Sequence, residues 1–156
     1  MSPSPITVIG AAVALGLAGG SLWSTIERRS ASAQPAPATA PLVRFSVCHT
    51  GGGTNCVVDG DTIWMEGEKI RIADIDAPET HPPRCSREAE LGERATRRLH
   101  ELVNAGPFEA RIVGNRDTDR YGRKLRVLVR DGRSLGDVLV SEGLARSWSG
   151  RREPWC

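Results

Sequence analysis

The chain has 156 residues, 39% hydrophobic and 26% charged, enough for one domain of ordinary size with its own core. Its 21 Lys and Arg against 19 Asp and Glu leave a formal charge of +2, which excludes the basic excess of a protein that coats nucleic acid. A polyanionic partner would have to be met by cations placed locally, and arginine, which dominates the basic residues, suits bidentate recognition of phosphate or carboxylate. A GC-rich genome would raise arginine as well.

The first element is the uncharged run ITVIGAAVALGLAGGSLW, Ile6 to Trp23. As a helix of roughly 27 Å it would match the hydrocarbon thickness of a bilayer. Residues 1–29 are therefore expected to form a hydrophobic N-terminal helix, either a signal peptide or an uncleaved membrane anchor. The small residues Ala31-Ser32-Ala33 offer a cleavage site, but no Lys or Arg precedes Ile6, and Glu27-Arg28-Arg29 follows the run. Residues 30–41, SASAQPAPATAP, have no periodic apolar face and read as a linker. The folded domain is expected over 42–156.

Within the domain, Thr62 to Met65 and Lys69 to Asp74 flank Glu66-Gly67-Glu68, a hairpin signal. Alternation puts Ile70 and Ile72 on one face and Arg71 on the other. Leu91, Ala95, Leu99 and Leu102 fall at helical spacing, so a helix is expected from about Ser86 to Asn104, stopped by Gly106-Pro107. Phe108 to Val113 and Lys124 to Arg130 read as strands. Asp131-Gly132 makes a turn, and Ser134 caps a second helix that ends at Gly143, with Asp137 in a capping-box position. This order predicts a small α+β domain on a curled sheet or barrel.

The four cysteines, Cys48, Cys56, Cys85 and Cys156, include no C-x-x-C pair, which argues against zinc or a thioredoxin-like motif. Cys48 and Cys56 bracket a glycine-rich loop that a bridge could close, and Cys156 paired to Cys85 would pin a tail. Four cysteines allow three connectivities, and reduced, partly buried thiols are the alternative. Disulfides imply an oxidising compartment, so the expected location is periplasmic or secreted, or anchored at the inner membrane.

Three segments crowd opposite charges together: VDGDT (Val58 to Thr62), IRIADIDAPE (Ile70 to Glu79) and DRYGR (Asp119 to Arg123). Asp59, Asp61, Asp76 and Glu79 are the oxygen ligands that a hard divalent cation takes. Arg71 and Arg123 are the fixed cations that would stabilise charge growing on an attacked phosphodiester. Each segment alone has an ordinary reading: a solvated turn, a helix-entry turn, or a surface salt bridge from Arg71 to Glu66 or Glu68.

Together, in this order and with a helix between the second and third, the segments resemble the staphylococcal-nuclease-like, or thermonuclease, family. GRSLGDVLVSEGLAR, Gly132 to Arg146, is similar to the family's helix and its ending, and the resemblance covers roughly Val57 to Trp148. It implies a five-stranded OB-type β-barrel with packed helices, and a Ca²⁺-dependent nuclease of low sequence specificity acting on DNA, RNA or both. By position it implies Asp61, Asp76 and the backbone carbonyl of Ala77 as ligands of Ca²⁺, or of Mg²⁺ or another divalent cation. Glu79 would hold and activate the attacking water, and Arg71 and Arg123 would bind the scissile phosphate. Asp59 would sit just outside the ligands, and Arg120 and Tyr121 would contact a terminal phosphate. A monomer is expected, with nucleic acid as its partner and the membrane as a second one if the leader is retained.

The sequence also departs from the family. Nothing after Arg146 corresponds to a third helix, and Tyr121, the one tyrosine, leaves the aromatics that sandwich a base without a clear match. Trp148 reads as covering the core rim rather than stacking on a base. His49, His81 and His100 read as residues without a catalytic role. The competing reading is a non-catalytic phosphate- or nucleic-acid-binding module of the cell envelope. A purely structural envelope protein is a third.

Overall fold

The computed structural model describes residues 43–48 and 52–156. The expected leader at 1–29, the linker at 30–41, Leu42 and His49 lie outside the described residues. Among the described residues no helix is long and apolar enough to cross a membrane.

Strands β1 (Ser46–Val47), β2 (Cys56–Asp59), β3 (Thr62–Met65) and β4 (Glu68–Ile72) are consecutive neighbours, β1 parallel to β2 and the rest antiparallel. Glu66 and Gly67 join β3 to β4 with φ of 53° and 82°, the left-handed pair that matches the natural twist of a hairpin. β5 (Ile75–Asp76) leaves the sheet, and the segment after it leads into α1 (Ser86–Asn104). β6 (Glu109–Arg111) pairs with β7 (Lys124–Arg130), and β7 returns parallel to β4. The last elements are β8 (Arg133–Ser134), α2 (Leu135–Ser141) and β9 (Arg146–Ser147). The strand path is β1-β2-β3-β4-β7-β6 with β8 on β7, while β5 and β9 form a separate antiparallel pair. The described residues form an α+β fold, a mixed sheet with two helices.

The core lies between the sheet and the helices. Ile63, Ile72 and Leu128 from the sheet meet Leu99 of α1 and Leu139 of α2, all fully buried. Truncating one of these, such as Leu99→Ala, typically costs about 2–5 kcal/mol. α1 has no basic residue in its last turn, and Arg130 of β7 takes over that task. Its Nη2 donates to the carbonyls of Leu102 at 2.7 Å and Gly106 at 2.5 Å, satisfying groups that helix geometry leaves open. Ser134 caps α2 by accepting from the amides of Gly136 and Asp137 and donates its own proton to Asp74.

Two expectations need adjustment. The strand expected over Phe108 to Val113 pairs only over Glu109–Arg111, and Ile112 and Val113 are exposed. Among the described residues it is an edge strand, with no partner beyond Arg111. The ordinary reading of Arg71 as a surface partner of Glu66 or Glu68 does not hold. Arg71 is only 7% exposed, because a turn and β5 close over its face of the strand. Bridges join Cys48 to Cys56 and Cys85 to Cys156.

Candidate active site

Asp61 lies in the turn between β2 and β3, beside a register shift at Val57 and Asp59. Gly60 allows the turn to close. A Cβ there would stand 2.6 Å from that of Ala95 and 2.8 Å from that of Ala77, so only glycine lets the turn press against α1 and the segment after β5. The Asp61 carboxylate accepts from the Ala77 amide at 2.9 Å and the Thr62 hydroxyl at 3.0 Å. Its own amide donates to Asp59 at 3.0 Å. Asp61, Ala77 and Asp59 are thus knitted by hydrogen bonds.

Arg71 sits opposite Thr62 in the β3–β4 register, which aims its guanidinium at the same turn. Nη1 is 3.0 Å from Asp61 Oδ2 and donates to the Ile72 carbonyl at 2.7 Å. Nη2 is 3.6 Å from Asp76 Oδ1. The surface pairing of Arg71 with Glu66 or Glu68 is therefore not what the fold makes. Asp76 is buried, and neither of its oxygens accepts a well-aligned hydrogen bond.

Glu79 follows on a loop laid across α1 at Gly92. Glu88, buried in the first turn of α1, fixes that loop by accepting from the Arg84 amide at 2.6 Å and the Glu79 amide at 3.5 Å. Parallel pairing of β4 with β7 delivers Arg123 to the same place. Its Nε donates to Asp119 at 2.7 Å and its Nη1 to Thr62 at 3.4 Å. Arg120 stacks on Tyr121, 4.7 Å from its centroid, and both line the same cleft. Of the predicted residues, Arg71, Glu79, Arg120, Tyr121 and Arg123 line the cleft, while Asp61, Asp76 and Ala77 are buried and joined to it through Arg71 and Asp61. His81 is outside the group, exposed and bonded to Thr80, and His100 holds the Phe45 carbonyl in a structural contact.

Two features were not foreseen. Trp148, expected on the core rim, is 42% exposed and lines the cleft, its ring 5.9 Å from the Arg71 guanidinium. Arg152, unremarked in the sequence, places Nε 3.1 Å from Asp76 Oδ1 and ion-pairs through Nη1 with Glu79. No local pattern marks Arg152. Only Cys156, with a partner at Cys85, signals that this tail returns to the loop carrying Glu79.

The cleft encloses about 890 Å³ and is lined by Lys69, Arg71, Arg84, Arg116, Arg120, Arg123 and Arg152 against only Glu79 and Asp119. Local placement thus overcomes a near-neutral chain. Burial raises the pKa of Asp76, opposed by Arg152, reinforced by Asp61 and opposed again by Arg71. Burial, and then the Asp61 carboxylate, push Asp59 up to about 7. Burial also acts to raise Asp119, but hydrogen bonds from the Arg123 side chain and from the Arg123 and Tyr121 amides bring it below its usual range.

Buried acids short of donors are where a cation would be at home. The donor set is oxygen only, as hard divalent ions prefer. It is also small. Among the described residues no three acid, histidine or cysteine side chains converge as ligands. An ion here would use Asp61, Asp76 and the Ala77 carbonyl, and would fill its remaining positions from solvent or substrate.

The sequence pattern described as Staphylococcal nuclease homologue matches residues 69–154. The chain belongs to this family. The matched span carries Arg71, Asp76, Glu79, Arg123 and Arg152, while Asp61 lies before it and joins the cluster through the fold. Among relatives, the chain is similar to Endonuclease YncB of Bacillus subtilis (strain 168), 40% identical over 93 residues, covering 57% of this chain and 44% of that protein. It is equally similar to the SPbeta prophage-derived endonuclease YokF of the same organism, 40% identical over 93 residues, covering 57% of this chain and 31% of YokF. Succinoglycan biosynthesis protein ExoI of Rhizobium meliloti (strain 1021) is 30% identical over 129 residues, covering 75% of this chain and 65% of ExoI. The chain spans less than half the length of the two Bacillus relatives. Membership of the staphylococcal nuclease homologues thus rests on the half of the chain that builds the cleft.

Proposed function

We propose that this chain is a metal-dependent nuclease that hydrolyses phosphodiester bonds of DNA, RNA or both with little sequence preference. One observation carries the reading. Arg71, Glu79 and Arg123 line a single basic cleft, and Arg71 is ion-paired to the buried carboxylates of Asp61 and Asp76.

The strand's phosphates are drawn into the cleft by its arginines, without reading of base edges. Arg71 offers Nη2, which lies 3.6 Å from Asp76, and Arg123 offers Nη2 from a guanidinium fixed by Asp119. Both donate to the equatorial oxygens, where charge grows as water attacks. Glu79 holds that water and takes its proton. A divalent cation, Ca²⁺ by preference, held by Asp61, Asp76 and the Ala77 carbonyl, would polarise a phosphate oxygen and neutralise its charge. Arg120 and Tyr121 would contact a flanking phosphate, and Trp148 would offer its exposed face to a base.

The same reading extends to the whole protein. The curled sheet is taken as a five-stranded OB-type barrel within a domain spanning 42–156. The two bridges favour export to a periplasmic or extracellular space, with 1–29 as signal or anchor, and the working form is a monomer. The second reading, a binding module without turnover, is favoured by one contact, the pairing of Arg152 with Glu79, which occupies the base.

The test uses the oxidised chain with single-stranded DNA and with RNA, in Ca²⁺, in Mg²⁺ and in EDTA. Cleavage that needs a cation and is lost in Glu79→Gln supports the nuclease. Binding of either nucleic acid without cleavage in any cation would leave the binding module.

A further inference from the structure

Among the described residues, Arg152 is the one cationic side chain that reaches both Asp76 and Glu79. It spans the carboxylate assigned to the ion and the carboxylate assigned to the water. Its position is fastened from both sides. Upstream, β9 pairs with β5, so that Arg146 lies opposite Asp76 itself. Downstream, Cys156 is bridged to Cys85, at the foot of α1, and Glu88 in that first turn holds the Glu79 and Arg84 amides. Between these anchors Arg146 lies 3.8 Å from the Trp155 ring centroid and donates to the Pro154 carbonyl at 3.1 Å. The adjacent Arg151 is directed elsewhere, and its ion-pair partner is Glu153 at 2.6 Å.

Resting on the reading of Asp61 and Asp76 as cation ligands, we propose that Arg152 is a built-in counter-ion that competes with the divalent cation for Asp76 and Glu79, held in place by the Cys85–Cys156 bridge. A divalent cation approaches a carboxylate oxygen to about 2.3–2.6 Å. The Arg152 Nε is already 3.1 Å from Asp76 Oδ1. Two positive groups on one buried oxygen repel strongly, so an ion enters only as the guanidinium withdraws. The anchored tail keeps the local concentration of that guanidinium high, as a short tether does for any intramolecular ligand. The acids are thus neutralised at rest and released by ion binding. The bridge sets how hard Arg152 competes.

Calorimetric titration of the oxidised chain with Ca²⁺ and with Mg²⁺, backed by the ion-dependent rise in Tm, tests this without any activity assay. Arg152→Gln should bind the ion about tenfold more tightly than the parent, within the range usual for coupled sites. Arg151→Gln removes the same charge one residue away and should stay within about twofold of the parent. A double Cys85→Ser, Cys156→Ser variant should show the gain of Arg152→Gln, and adding Arg152→Gln to it should bring nothing further. An ion that binds Arg152→Gln but not the parent would also support the proposal. Unchanged or weaker binding in Arg152→Gln, equal gains in Arg151→Gln, or no ion binding in either chain would overturn it. A bridge-free chain that binds as the parent does would overturn the part given to the bridge. Cleavage of nucleic acid by the parent, measured separately, reports on the nuclease reading alone.

Discussion

Gly92 of α1 lies so close under Pro78 that a Cβ there would meet the Pro78 carbonyl oxygen at 2.8 Å and that of Glu79 at 3.1 Å. The helix surface is therefore the bed on which the Glu79 loop rests. Gly92→Ala gains roughly 1 kcal/mol of helix propensity and loses about 1–3 kcal/mol to overpacking. Its Tm should fall by only a few degrees. A carboxylate displaced by about 1 Å should lose on the order of 10²-fold in kcat. Paired thermal melts and cleavage rates check this. An intact rate would mean that the loop adjusts freely.

Glu79→Gln should cut the cleavage rate by about 10²–10⁴-fold, the usual worth of a placed proton acceptor. Because Glu79 is partly exposed, Tm should change little. Arg71→Ala differs, since its partners Asp61 and Asp76 are buried. Removing one side of a buried pair costs about 3–5 kcal/mol, so this variant should lose stability as well as activity. Denaturant titration beside the rate assay separates the two effects.

Asp119 holds Arg123 in place, and its pKa is depressed when folded. An acid of this kind binds fewer protons folded than unfolded. Its contribution is fully present above its unfolded value of 3.8 and is lost as pH falls through the lower folded value. Asp119→Asn should therefore flatten the acid limb of the stability curve below about pH 4. It should also slow cleavage at neutral pH, since Arg123 loses its anchor. Thermal melts from pH 2 to 7 test the first statement, and rates at pH 7 the second.

The two bridges close loops of very different length, with 8 and 71 residues of separation. On the loop-entropy account the short one stabilises by about 2–3 kcal/mol and the long one by about 4. Replacing Cys85 and Cys156 with serine should lower the denaturant midpoint more than replacing Cys48 and Cys56. The reverse order would mean that the unfolded chain is already compact.

Much of this site was legible in the sequence because chemistry and geometry coincide there. VDGDT announces both a turn and a carboxylate, and DRYGR announces a turn that carries a cation. α1 was legible from the spacing of Ala95, Leu99 and Leu102. What could not be read was what lies between elements. The short β5 and β9 carry no run of alternating residues and exist only because each finds the other. The burial of Arg71 depends on a turn and a strand that close over it from elsewhere in the chain. Arg152 owes its importance to an anchor four residues on. Trp148 was misjudged because an aromatic ring looks the same in sequence whether it seals a core or lines a cleft.

The parallel pairing of β4 with β7 has a kinetic consequence. The β2–β3–β4 meander is made of local contacts and brings Asp61 to Arg71 by itself. Arg123 arrives only when β7, far along the chain, docks beside β4, and non-local closures of this kind are slow steps in folding. During refolding, amide protection in the meander should return before β7 is protected, and cleavage should reappear only with the latter. A newly made chain would pass its early life with Asp61 and Arg71 already side by side and the other cation still absent.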